Sequence, residues 1–473
     1  MKLRQKEISI TKEAPFKEDL LNREECAKIL TQIVQHTEGG FTLSINADWG
    51  YGKTTFVKMW EKVLQNAGYQ TIYFNAWESD FVADPMMALV DGIIEAINEE
   101  LPEDKKAFLK ALIKSIVGMA KLVPALTSAA NVAEAIIKGT EDFDKADSEL
   151  QEYRGLKNSV ENFREKLLDY AKSVGGDKQL IIFVDELDRC RPDYAVQMLE
   201  RIKHFFAIEN IIFVLSIDKH VMCESIRAIY GGLGIDTEAY LRRFIDLEFA
   251  LPEPNIKEYI DALCEQKQFA SYFKGYDDYL RQANYHEDTE YTLRNALIHC
   301  FQSERRSLRD VEKYFNRLLI LLHSVHFPHS KLDLAAFMLY TYMFDKPLYN
   351  TLKQMQVSIP ELWSELEKLL NNSLLDSHSN EYKGYLAMLI ACLAFYIRDK
   401  RDIDGGKDPI YREIEGNDEL DWFNQDQGNQ RWLRQEVVSA NTTSLDIKTL
   451  CKHMELLTIM FKEEPEKKQE EGA

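Results

Sequence analysis

A chain of 473 residues that is 45% hydrophobic and 29% charged is long enough for two or three domains and has the apolar content of a globular protein. Its formal net charge of −20 argues against charge-driven binding of nucleic acid over the whole surface, though not against a local basic patch. Seven cysteines stand singly, with no Cys-x-x-Cys pair, which speaks against a disulfide framework and for reduced thiols in a cytoplasmic compartment.

Residues 20–38 read as a helix, with Asp19 as a possible N-cap and Gly39-Gly40 as its stop. An apolar strand-like run, 41–45, follows, and then Ala47-Asp48-Trp49-Gly50-Tyr51-Gly52-Lys53-Thr54-Thr55, with a helix opening at Phe56. Residues 71–74 form a second strand. Helical periodicity then dominates 85–174, with a break around 138–147. The run 180–185 is an unbroken apolar strand ending in Asp185-Glu186, and 194–206 is the helix after it. A fourth strand, 211–217, ends at Asp218, and a fifth, 244–251, is closed by Pro252 and Pro254. Strands alternating with helices predict a parallel, doubly wound sheet.

Beyond Pro254 the strand signals stop. Residues 256–323 and 332–397 read as helices, 399–445 as a polar stretch with Trp422 and Trp432 as anchors, and 444–461 as a last helix. An acidic tail, 462–473, has the composition of a disordered segment. The N-terminus has basic residues but no apolar segment of signal-peptide length, and no run of about 20 apolar residues predicts a membrane span. The long Ala/Ile/Leu-rich segment 107–137 carries Lys110, Lys114, Lys121 and Pro124, so it reads as two amphipathic helices that leave room for peripheral membrane contact.

Strand, glycine loop, Lys-Thr and helix form an arrangement suited to nucleotide phosphates. Backbone N–H groups point at the anion, Lys53 reaches the β/γ-phosphates, and Thr54 supplies a hydroxyl to Mg²⁺. Ala47 stands where the usual pattern has its first glycine. The acidic strand completes the set: Asp185 for the metal and Glu186 to orient the attacking water. Lys53 and Asp185 are much further apart than the ~30 residues of one βαβ unit, so 85–175 is an insertion within the nucleotide domain.

Other positions keep two readings. Asp188 and Arg189 lie at the mouth of the acidic strand, Arg189 as a helix-capping or subunit-facing arginine and Asp188 as a local partner of Arg191. Asp218 either senses the γ-phosphate or caps the helix beginning at Lys219. Arg242, with Arg243, either contacts phosphate or another subunit, or is simply solvated. Arg306, Arg309, Lys313 and Arg317 share one helical face opposite Leu308, Val311, Phe315, Leu318 and Leu322. That stripe could reach nucleotide or nucleic-acid phosphates, or face solvent. His323, His326 and His329 have a metal-like spacing that Pro328 interrupts, with no acidic or cysteine partner nearby.

These motifs resemble the KAP family of P-loop NTPases. The likeness rests on Trp49-Gly50-Tyr51-Gly52-Lys53-Thr54, on Asn75-Ala76-Trp77, on the Asp185-Glu186-Leu187-Asp188-Arg189-Cys190 block and on Tyr240-Leu241-Arg242. Leu20-Leu21-Asn22-Arg23-Glu24 is similar to a motif of the related STAND class that lies near the base, which makes Arg23 a candidate nucleotide contact. The resemblance spans about 15–320 and implies a lid arginine, Arg306 or Arg309, and Mg²⁺-dependent ATP hydrolysis by an oligomeric switch or assembly. By analogy it also implies a role in prokaryotic defence against phage or plasmids.

The expected fold is therefore α/β. A P-loop NTPase parallel sheet over 1–254 carries an inserted helical segment at 85–175, followed by a helical lid at 255–330 and a C-terminal all-helical domain at 331–461. Trp49, Gly50, Tyr51, Gly52, Lys53, Thr54 and Thr55 are expected to cradle ATP, with Arg23, Arg306 and Arg309 as further contacts and Thr54 and Asp185 as ligands of Mg²⁺. Glu186, Lys53, Asp218 and Arg242 are the expected catalytic set. ATP is the default because the guanine signature is absent. Two other classes remain: a nucleic-acid-stimulated motor using the 306–317 stripe, and a nucleotide-gated scaffold with little turnover. The expected partner is a second copy of this chain or another protein.

Overall fold

A computed structural model describes residues 8–82, 84–100, 158, 160–173, 176–205, 208–231, 234–267, 269, 293–294, 297–298, 300–301, 306–324, 332–354, 451–452 and 454–455. The chain divides into two compact units, Gln5–Glu253 and, from the second boundary on, Pro254–Ala473.

The first unit is built on five strands: β1 (Phe41–Asn46), β2 (Gln70–Asn75), β3 (Leu180–Asp185), β4 (Ile211–Ile217) and β5 (Leu247–Ala250). They run in the order β2-β3-β4-β1-β5, and every pairing is parallel. This is the α/β P-loop NTPase sheet. β3 and β4 are buried along their whole length, as continuous apolar runs in a doubly covered parallel sheet must be. β5 lies at an edge, more exposed and shorter than its sequence run, because Arg243 and Phe244 close turns onto Tyr240 and Leu241 before the strand begins.

The period-2 alternation sorts side chains onto two faces. Leu43, Ile45, Ile181, Phe183, Ile212 and Val214 pack with α1 (Glu24–His36) and α2 (Lys53–Asn66), through Leu30, Val34, Phe56 and Trp60. Trp60 meets Phe183 edge-on at 5.5 Å, and its indole N–H donates to Thr31 Oγ1 at 3.0 Å, so the largest buried side chain keeps no unmet donor. Ile72, Phe74, Ile182, Val184, Phe213 and Leu215 face α3 (Pro85–Glu100), α4 (160–173), α5 (Pro192–Phe205) and α6 (Lys219–Tyr230). Each fully buried Leu, Ile or Phe on these faces contributes about 1.5–3 kcal/mol.

Several boundaries differ from the sequence reading. α1 starts at Glu24 rather than at residue 20, because the Asp19 carboxylate accepts from the Leu21 and Arg23 amides and holds a non-helical turn there. α2 begins at Lys53, three residues before Phe56. α5 begins at Pro192, whose fixed φ and missing N–H suit a first helical position. A short helix, α7 (Thr237–Leu241), precedes β5 and is capped by Asp236.

The second unit has helices α8 (Ile256–Gln266), α9 (Leu308–Ser324), α10 (Leu332–Phe344) and α11 (Lys346–Gln354), with no strand among its described residues. Asn255 caps α8 through the Lys257 and Glu258 amides. Phe301, Tyr314, Tyr340 and Phe344 form an aromatic cluster, and the Tyr314 hydroxyl donates to Ala336 O at 2.6 Å. The apolar face of α9 is as expected, with Leu308, Val311, Phe315, Leu318 and Leu322 buried; of the expected basic stripe Arg309 and Lys313 are exposed, Arg317 is half-buried and Arg306 precedes the helix. Arg306 lies 4.8 Å over the Phe344 ring.

No helix of the described residues is long and apolar enough to cross a membrane. The segments 107–137, 355–397 of the expected helical run 332–397, 399–445 (with Trp422 and Trp432) and 462–473 lie outside the described residues, as do His326 and His329. Of the expected helix 444–461, Cys451, Lys452, Met454 and Glu455 are described, and they are helical.

Candidate functional site

Because β4 lies between β3 and β1, the loop after β1 and the acidic end of β3 flank one strand at the carboxyl edge of the sheet. Open α/β sheets place ligands there. The loop needs its glycines: Gly50 has φ 83° and Gly52 φ 78°, the left-handed region that L side chains rarely adopt. Ala47 has no positive φ, and its amide donates to Ile217 O at 3.3 Å, so alanine fits where a glycine is usual. Gly52 is the N-terminal boundary residue of α2, and a Cβ on it would lie 3.3 Å from Leu21 Cδ1 and 3.4 Å from Arg23 Nη1.

Arg23 is buried against the back of this loop. Its Nη1 donates to Tyr51 O at 2.6 Å and its Nη2 to Pro252 O at 3.1 Å, which ties the loop to the segment after β5. Burial pulls the guanidinium below its ordinary range, and Asp19 partly offsets that. The side chain expected to touch nucleotide braces the carbonyl side of the loop.

Lys53, the first residue of α2, turns its ammonium back toward the loop, donating to Ala47 O at 2.7 Å. It also pairs with Asp188 Oδ2 at 3.3 Å, both side chains being almost wholly buried. Burial pushes the Asp188 carboxyl up and Lys53 draws it back down. The Thr54 hydroxyl reaches Glu186 Oε1 at 3.5 Å, and Thr55 is half-buried in the same first turn. Trp49 exposes 59% of its surface, while its amide donates to Asp218 Oδ2 at 3.1 Å.

The acidic residues are individually fixed. Asp185, 1% exposed, accepts from the Tyr73 hydroxyl at 2.7 Å through Oδ2 and from the Glu186 amide at 2.9 Å through Oδ1. Burial and the Asp185 charge push the Tyr73 phenol far above its ordinary range, so it stays a donor. Glu186 occupies the left-handed region (φ 60°, ψ 25°). Its carboxylate pairs with Arg189 Nη1 at 2.7 Å and accepts from Asn75 Nδ2 at 3.3 Å. Asp218 is the N-cap of α6, accepting from the His220 and Val221 amides through Oδ1. The capping alternative is thus realised, with Oδ2 left to hold the loop.

The expected Asp188–Arg191 pair is not made. The one-turn helix Leu187–Arg189 directs Asp188 to Lys53, while Arg191 bonds Asp80 through its backbone amide and its guanidinium. Arg242 is largely exposed, with Asp236 and Glu238 of its own short helix 3.9 and 3.8 Å away. Sequence reasoning missed Tyr73 and Asn75 as second partners of the two strand-end carboxylates, although both lie at the end of β2, whose register sets Asn75 beside Asp185.

The donor set fits a nucleotide phosphate with magnesium. A threonine hydroxyl and carboxylate oxygens are the hard ligands that ion prefers, and a glycine loop opening a helix suits phosphate. Among the described residues no three His, Cys, Asp or Glu side chains form a metal cage, so the ion would be held by one or two carboxylates plus phosphate.

Residues 23–325 match the model of the KAP family P-loop domain. No curated protein matches the chain. Among solved structures, the chain is similar to the Aeropyrum pernix ORC2 protein, solved as ADPNP-ADP complexes, at 12% identity. That match covers 92% of this chain and 88% of that one, with a TM-score of 0.35. It is also similar to Cdc6p from Pyrobaculum aerophilum at 13% identity, covering 67% of this chain and 63% of that one, with a TM-score of 0.27. Likeness at that level assigns no residue and no activity here.

Proposed function

The chain belongs to the KAP family of P-loop NTPases, and from that premise we propose that it binds ATP with Mg²⁺ and hydrolyses it slowly, as a switch or assembly ATPase. One observation carries the reading: a glycine loop, its lysine and threonine, and a strand-end Asp-Glu pair meet at one edge of a parallel sheet. Gly50, Gly52, Lys53, Thr54 and Thr55 would bind the phosphates, and Thr54 with Asp185 would hold the metal. A bound magnesium ion would supply charge neutralisation at the phosphates. Glu186 would orient water, so the protein's own contribution is positioning and electrostatics. Asp218 acts in this reading by fixing the loop at Trp49, and Arg23 by fixing it at Tyr51.

The domain limits proposed are a core over 1–254, a lid over 255–330 and a helical domain over 331–461. Arg306 and Arg309 are lid arginines in this reading, and Arg242 faces a neighbouring copy. A role in defence rests on the family resemblance alone. A second reading, a nucleotide-gated scaffold with little turnover, is favoured by the Arg189 guanidinium on Glu186. The test is phosphate release, with and without EDTA, by the full chain and by Lys53→Ala and Glu186→Gln. Turnover abolished by chelation and by both substitutions supports the ATPase. Equal background rates in all three proteins leave the scaffold.

A further inference from the structure

Among the described residues at this turn, one carboxylate depends on the phosphate-binding lysine. Asp185 is held by the Tyr73 hydroxyl and the Glu186 amide, Asp218 by three backbone amides, and Glu186 by Arg189 and Asn75. Asp188 pairs with Lys53, at 3.3 Å, with side-chain exposures of 5% and 8%. A triphosphate in this loop needs the same ammonium, one of whose three N–H groups is already engaged by Ala47 O at 2.7 Å. A buried carboxylate at that distance competes with phosphate for the lysine, with little solvent to screen the pairing.

We propose that Asp188 sets the nucleotide affinity of this site by competing with the β/γ-phosphates for Lys53, so that binding strength depends steeply on phosphate number. The proposal rests on the loop being a polyphosphate site. It makes a prediction of sign. A residue that merely aims Lys53 at phosphate would weaken binding when neutralised, because the lysine would lose its support. A competitor would tighten it.

The experiment is equilibrium binding of fluorescent mant-ATP, mant-ADP and mant-AMP, with Mg²⁺, to the full chain, to Asp188→Asn and Asp188→Ser, and to each in a Lys53→Ala background. Circular dichroism checks that every variant is folded. Asp188→Asn and Asp188→Ser should each bind mant-ATP about tenfold tighter. The gain should be smaller for mant-ADP, nil for mant-AMP, and absent when Lys53 is alanine. Unchanged or weaker mant-ATP binding overturns the proposal, and so does an equal gain for mant-AMP. Unfolding of both Asp188 variants overturns it too, since Asp188 would then be a structural partner. If Lys53→Ala alone leaves mant-ATP binding at the wild-type level, the polyphosphate reading itself fails and takes the proposal with it. That pattern differs from every result in which only the role of Asp188 is wrong.

Discussion

Arg189 Nη1 lies 2.7 Å from Glu186 Oε1, three residues away at the other end of a single helical turn, and the Glu186 backbone is left-handed. A non-glycine residue in that region carries strain of about 1–3 kcal/mol, tolerated where the surroundings fix it. Here the fixing contacts are Arg189, Asn75 and the Thr54 hydroxyl. The carboxylate proposed to orient water is therefore shared with a cation. Arg189→Gln should raise basal ATP turnover by up to about fivefold, since a partly exposed pair is worth up to about 1 kcal/mol. Steady-state phosphate release measures it. A fall in turnover would instead make Arg189 a stabiliser of transition-state charge.

Arg23 joins two backbone carbonyls more than two hundred residues apart in the chain, at Tyr51 and Pro252. Arg23→Ala leaves both partly buried carbonyls without their donor. The substitution should cost about 1–3 kcal/mol in urea unfolding and weaken nucleotide binding through the loosened loop. Arg23→Lys should recover only part of either loss, because an ammonium cannot span both oxygens as the guanidinium fork does.

Gly52 has φ 78° with Leu21 Cδ1 3.3 Å from the position of a Cβ. Gly52→Ala therefore meets backbone strain of about 1–2 kcal/mol and a tight contact at the loop's hinge into α2. Thermal unfolding should shift down modestly, while nucleotide affinity drops by more than the stability change implies. A variant that is destabilised yet binds normally would show that the loop relaxes around the methyl.

Cys190 offers a pH test. Burial, helped by Asp80, Asp188 and Glu186, pushes its thiol from an ordinary 9.0 up to about 12. The folded chain then holds this proton in a window where the unfolded chain releases it. The stabilisation is fully present below pH about 9 and is lost progressively as pH rises toward 12. Full loss amounts to roughly 4 kcal/mol by linkage. Urea midpoints at pH 8 and 10 should diverge for the wild type, and the divergence should shrink in Cys190→Ala. An identical pH slope in both proteins would assign the alkaline loss to other groups, the buried tyrosines first.

The sheet was legible because its signals are local. β3 and β4 read as long apolar runs, and Gly50 and Gly52 sit between a strand and a helix that opens on Lys53 and Thr54. What periodicity could not supply is which charged side chain meets which. Asp188 is two residues from Glu186 and three from Arg191, and its partner was decided by the tight turn Leu187–Arg189, which aims it at a lysine from another strand's loop. Asp218 had two readings because a helix cap and a loop anchor call for the same residue type, and one carboxylate does both. Tyr73 was hidden for a different reason: a tyrosine between Ile72 and Phe74 reads as packing until the neighbouring strand's register is known.

That hidden tyrosine gives the sharpest test of the metal assignment. The Tyr73 hydroxyl donates to Asp185 Oδ2 at 2.7 Å, and Asp185 is 1% exposed, so no water replaces a lost donor easily. Tyr73→Phe keeps the ring and its packing, including the Lys58 ammonium 5.1 Å from the ring centre, and removes only the hydrogen bond. The missing bond should cost about 1–3 kcal/mol of stability. If Asp185 holds magnesium, its orientation also matters, and losing a partner that orients a ligand typically costs 10–100-fold in metal affinity. The Mg²⁺ concentration giving half-maximal turnover should then rise by at least about tenfold, while the maximal rate changes less. A stability loss of the expected size with an unchanged magnesium requirement would leave Tyr73 as a core contact and move the metal from Asp185 to Glu186, the carboxylate that the Thr54 hydroxyl reaches.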